Sequence, residues 1–109
     1  MSIERYIMTS RGRLLKNHKR LCLKARALMQ LKNRDYAHAD DPFKNFRRHG
    51  LYGITVRISD KLARLDNFIE NGKFSVKDEK IEDTVMDLMN YSVLFYSLLE
   101  DERGKKTAK

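Results

Sequence analysis

The chain has 109 residues and a formal net charge of +8, is 41% hydrophobic and 35% charged, and has one proline and one cysteine. That length suits one domain with one core, and the scarcity of proline and glycine argues against a many-stranded fold. The lone Cys22 can form no intrachain disulfide and suits a reducing cytoplasm, no apolar run reaches the roughly 18 residues of a membrane span, and the N-terminus lacks the order of a signal peptide.

Charge is unevenly placed. Residues 1–34 hold ten Lys/Arg against Glu4, a net of +9; residues 35–109 hold 13 against 14, a net of −1. A basic N-terminal third invites nucleic acid, phosphate or an acidic partner, and a solvated helix face is the alternative. Residues 2–34 read as the first helix. Ile7, Leu14, Leu21 and Leu28 recur every seven positions beside Met8, Leu15, Cys22 and Met29. Gly12 costs about 1 kcal/mol relative to Ala inside a helix, so a break near residues 10–12 is expected, with residues 1–11 a loose basic arm.

From residue 32 to residue 53 the periodicity stops. Pro42 disfavours a helical Asp41, and a stretch of this length is expected to be structured: a helical turn over 43–48, with Phe43 and Phe46 pinning it to the core. His38 and His49 lack a zinc-ligand spacing with Cys22. Residues 54–71 form the second clear helix, its buried stripe predicted as Ile54, Ile58, Leu62, Leu65 and Ile69, with Gly72 as its C-cap. Arg57, Asp60, Lys61 and Arg64 share a neighbouring face, where an exposed ladder of ion pairs is the simpler reading.

The last helix is predicted over residues 76–102, opened by a capping box of Ser75 and Asp78. Ile81, Val85, Leu88, Ser92, Phe95 and Leu99 give one apolar face, widened by Met86, Met89, Val93 and Tyr96. Along the same helix Asp83, Asp87, Asn90 and Tyr91 form a polar stripe. Carboxylates rarely enter an interior unless they are paired or hold a metal, so this stripe is the main functional clue. Gly104 is expected to end the helix, leaving 104–109 a disordered basic tail. The predicted fold is all-α: a single domain over residues 1–103, three main helices with a structured loop between the first and second, completed by homodimerisation because three helices leave part of the last one uncovered.

Packing the second and third helices would bring Asp83 and Asp87 opposite Arg57, Asp60, Lys61 and Arg64. Mixed carboxylates and cations suit a magnesium–phosphate ligand, with Glu79, Glu82, Asp83 and Asp87 as candidate ligands of Mg²⁺. Simple neutralisation of Asp83 and Asp87 by Arg57 and Arg64 is the structural alternative.

The fragments KNRDY (32–36), DPFKNF (41–46), GITVRISDKLARLDN (53–67) and VKDEKIEDTVMDLMNYSVL (76–94) resemble the phage and bacterial family called nucleotide modification associated domain 1. The shared residues are Lys32, Asn33, Asp35, Tyr36, Asn45, Phe46, Arg57, Asp60, Lys61, Arg64, Asp78, Glu79, Asp83, Thr84, Asp87, Leu88, Asn90 and Tyr91; Ala37 stands where a glycine is usual. The resemblance implies a place in nucleotide or DNA-base metabolism. The helices and acidic stripe are also similar to the all-alpha NTP pyrophosphatases of the MazG-like group, which use Mg²⁺ to cut a nucleoside triphosphate. Their E-E-x-x-E motif is missing, and Asp60, Lys61 and Arg64 stand there instead.

The resemblance therefore implies a Mg²⁺-dependent nucleotide pyrophosphatase or phosphohydrolase. Asp83 and Asp87, with Glu79 or Glu82, would hold the ion, and Asp60 would bind metal or orient water. Lys32, Arg57, Lys61 and Arg64 would hold phosphates, with Asn33, Asp35, Tyr36, Asn45, Phe46, Asn90 and Tyr91 completing the nucleotide site. Tyr36, Phe46 and Tyr91 could pack against the base. A non-catalytic nucleotide-binding or host-modulating protein would use the same cleft without chemistry. A nucleic-acid accessory protein would instead use residues 1–34.

Overall fold

The computed structural model describes residues 9–36, 41–71 and 81–107, with side chains over 9–32, 41–71 and 81–104. Among them all regular structure is helical: α1 (Ser10–Tyr36), the single turn α2 (Lys44–Arg47), α3 (Gly50–Asn71) and α4 (Ile81–Thr107). The proposed capping box at Ser75 and Asp78, the Gly72 cap, residues 1–8 of the basic arm and His38 lie outside the described residues.

Helix α1 begins at Ser10, where Gly12 predicted a break. The Thr9 hydroxyl accepts from the Gly12 backbone N–H at 3.0 Å, supplying one of the bonds that a helix start lacks. The turn α2 is set by Asp41. Its carboxylate accepts from the Phe43 backbone N–H at 3.0 Å and from both arms of the Arg47 guanidinium, at 2.7 and 3.1 Å. Arg47 lies over the Phe43 ring and also donates to Asp101 on α4 at 2.9 Å. Phe43 and Phe46 are half-buried, in keeping with their expected pinning role.

Helix α3 starts four residues earlier than its periodicity suggests. Gly50 has φ +62°, the left-handed region glycine enters without strain, and this redirects the chain out of α2. Gly53, a loop signal in the sequence, sits inside the helix; a Cβ there would stand 2.7 Å from the His49 Cβ. Its smallness is what lets the helix start against the preceding turn. Helix α4 likewise passes through Gly104 to Thr107, correcting the expected tail over 104–109 for its first four residues. Arg103 falls in its last turns, where a cation favours the carbonyl end of the helix dipole.

Helix α4 packs against both α3 and α1. Two ion pairs tie it to the α2–α3 arm: Lys61 to Asp87 and Arg47 to Asp101. Moving fourteen residues back on one side corresponds to fourteen forward on the other, so the pairing is antiparallel. Helix α1 crosses the outer side of α4 at Ala25, a small buried residue.

The core is Ala25, Ile54, Met86 and Leu98, with Thr84 also buried. The predicted α3 stripe is correct at Ile54, while Ile58 and Leu65 are half-buried. Leu62 and Ile69 are exposed, and their neighbours Lys61 and Phe68 turn inward. The inward positions 54, 58, 61, 65 and 68 alternate steps of four and three, the repeat that keeps one face on an antiparallel neighbour. Apolarity alone puts Leu62 inside; the Asp87 carboxylate draws Lys61 there instead. On α4 the predicted apolar face is half-buried except for exposed Ser92, and the fully buried residues lie beside it because two helices grip α4 from different sides.

Ile54→Ala should destabilise the fold by about 2–4 kcal/mol, and Ile69→Ala by under about 0.5 kcal/mol. Urea unfolding midpoints check this. Equal losses would mean that α3 presents the face its leucines and isoleucines alone predict.

Candidate functional site

The polar stripe of α4 does not line one cleft. Asp87 reaches α3 while Asn90 of the same stripe reaches α1, as does Glu82, five residues before Asp87. Asp87 enters the α3 interface. Its Oδ2 meets the Lys61 Nζ at 2.8 Å, and its Oδ1 lies 4.0 Å from the Lys32 Nζ of α1. The Lys61 and Asp87 side chains are 15% and 17% exposed, so this pair is largely removed from water, whereas Lys32 is exposed. Thr84, one turn before Asp87 on the same face, is buried, and its hydroxyl has no hydrogen-bond partner among the described residues.

Glu82 faces α1. Its Oε1 accepts from the Lys24 Nζ at 2.8 Å and from an Arg20 guanidinium nitrogen at 3.0 Å. The hydrogen bond from Lys24, followed by that from Arg20, holds its carboxyl below the usual glutamate range. Asn90 also turns to α1 and donates to the Ala25 carbonyl at 3.0 Å, at the helix crossing. Asp83 is exposed, and Tyr91 is half-buried. Arg47 is held above its already high ordinary range by the hydrogen bonds to Asp41, then Asp101.

Of the expected facing between Asp83 and Asp87 and the charged face of α3, the contact described is Lys61–Asp87. Arg57, Asp60 and Arg64 lie on the exposed flank of α3 beside Lys61. Asn45 is exposed on α2 and Phe46 half-buried. Asn33, Asp35 and Tyr36 occupy the last turns of α1, but their side chains, like Glu79, fall outside the described residues. Among the described residues no group of three or more His, Cys, Asp or Glu is gathered as a metal site. Asp83 and Asp87, one turn apart, are neighbouring carboxylates on one side of α4.

Sequence reasoning missed Arg20 and Lys24 as partners of Glu82, and Arg47 as a link between Asp41 and Asp101. Arg20 and Lys24 are one turn apart, yet in a chain this basic nothing separated them from the other cations of α1. Thr84 was visible only through the shared family pattern.

A family model described as nucleotide modification associated domain 1 matches residues 32–97, from the end of α1 through most of α4. No curated protein and no solved structure matches the chain.

Lowered Glu82 acidity gives a signed pH dependence. The stability it contributes is fully present above the usual glutamate range and is lost as pH falls through the lowered value. Glu82→Gln should therefore flatten the acid limb of melting temperature against pH below the usual glutamate range. Parallel limbs for the two proteins would mean that the Arg20 and Lys24 contacts contribute nothing.

Proposed function

Since the chain belongs to the nucleotide modification associated domain 1 family, we propose that it binds a nucleotide through its phosphates where α1, α3 and α4 converge. The observation that carries this reading is the pair of lysines from two different helices brought to one carboxylate, Asp87. Among the described residues two lysines approach this one carboxylate, and cations so placed suit phosphate oxygens. Lys61 is pre-positioned by its short bond to Asp87. Lys32, exposed and at the limit of contact, is free to lean toward a phosphate while Asp87 keeps Lys61 in place. Arg57 and Arg64, on the flank beside Lys61, extend the cationic surface toward solvent. The base and sugar would be met by Phe46, Asn45 and Tyr91, and by Asn33, Asp35 and Tyr36 at the end of α1.

A second reading is Mg²⁺-dependent hydrolysis of a nucleoside triphosphate, favoured by Asp83 and Asp87 one turn apart with Asp83 open to solvent. Two carboxylates fit an ion that arrives with its phosphates, since Mg²⁺ is held by one or two carboxylates plus phosphate oxygens and water. Such an ion would supply charge stabilisation on the phosphoryl oxygens. In this reading Asp83 and Asp87 would hold it, Asp60 would orient the attacking water, and Lys32 and Lys61 would hold the phosphates. Glu82 serves neither reading directly, because its carboxylate is taken up by α1.

The test is isothermal titration with nucleoside mono-, di- and triphosphates, with and without Mg²⁺, followed by chromatography of the mixtures. We expect triphosphate binding without conversion. Lys61→Met should lose about 2 kcal/mol, roughly thirty-fold in affinity, and Asp87→Asn, which releases Lys61, should weaken binding by a smaller factor. Conversion of the triphosphate, abolished by Asp87→Asn while binding persists, would establish the hydrolytic reading instead. Absence of nucleotide binding, together with oligonucleotide affinity falling steeply with salt, would sink both and assign the work to α1.

A further inference from the structure

The packing faces of α1 and α4 each continue past the point where the chain covers them. On α1 the face that meets α4 runs through Leu21, Ala25 and Leu28, which are half-buried or buried. Leu14 lies one heptad before Leu21, on the same face, yet it is 67% exposed, and Leu15 beside it 63%. On α4 the face that meets α1 runs through Glu82, Met86 and Met89. Val93 and Tyr96 continue that face and are 55% and 61% exposed. Each helix thus has a covered half and a bare half of one stripe. From Ala25 to Leu14 is about 16 Å along the axis, and from Met86 to Tyr96 about 15 Å.

We propose that a second copy of this chain covers both bare halves: the N-terminal half of α1 from each copy lies on the Val93–Tyr96 face of the other. The pairing is reciprocal, so it closes as a two-fold dimer using one patch on each copy. Charge agrees with shape. From residue 10 to residue 34 α1 has no carboxylate, while α4 carries Glu100 and Glu102 beside Asp101, which Arg47 already holds, and ahead of Arg103. Arg11 and Glu100 lie in line with Leu14 and Val93 on their respective stripes. A pairing of α1 with α1 would instead set two basic helices together.

This inference is independent of the nucleotide reading.

Sedimentation equilibrium of the full chain tests it. The native protein should weigh twice one chain at micromolar concentration. Val93→Glu and Leu14→Glu, each at a site exposed within one chain, should keep the helical circular dichroism and raise the dissociation constant at least about tenfold. Arg11→Glu and Glu100→Arg should each weaken the dimer, and the two together should restore it. A native chain that stays monomeric at hundreds of micromolar, a dimer indifferent to both Leu14→Glu and Val93→Glu, or a double charge swap that fails to restore association would overturn the proposal.

Discussion

Lys61 and Asp87 meet at 2.8 Å inside the α3–α4 interface, in positions that apolar side chains would otherwise fill. Withdrawing two charges from water is unfavourable, and their attraction offsets it only when the geometry is held. Held geometry has consequences beyond the pair. It fixes which face of α3 turns inward and sets the axial offset of the two helices. It also brings Asp87 within reach of Lys32 on α1, so all three long helices meet at one carboxylate. Replacing both partners by well-packed apolar residues could leave the hairpin as stable, but it would remove the charge that distinguishes this interface from an ordinary helical seam.

Helix α4 serves two neighbours with different chemistry. Toward α3 it offers Asp87; toward α1 it offers Glu82 and Asn90. The carboxylates on the two sides are each approached by two cations from other helices. A dense acidic helix is tolerated in this basic protein because its charge is distributed between interfaces. Asp83 is the exposed acid closest to Asp87 on that helix, which is why any chemistry proposed here turns on this one pair.

The helices were legible in the sequence because their signals are local. Heptad spacing in α1, Ile54 and its neighbours in α3, and the apolar run of α4 all depend on residues within a few turns. The described helix starts at Ser10, close to the expected break, with Gly12 inside its first turn. The inward face of α3 was not, since choosing Lys61 over Leu62 depends on a carboxylate 26 positions away. The start of α3 was hidden because Gly50 and Gly53 carry the composition of a loop while performing two separate tasks, a left-handed turn and a close approach to His49. The polar stripe of α4 was read as one surface because spacing places residues on a helix without saying how many neighbours surround it. Family resemblance marked Asp87 and Lys61, and geometry is what joins them.

The two ties between α4 and the preceding arm differ in how much chain they enclose. Lys61–Asp87 closes a span of 26 residues, and Arg47–Asp101 one of 54. Doubling a loop adds only about 0.6 kcal/mol of closure entropy, and once the inner tie has formed the outer one no longer searches the full span. With the Lys61 tie closed, the Arg47 tie is left a shorter search, its guanidinium already aligned by Asp41.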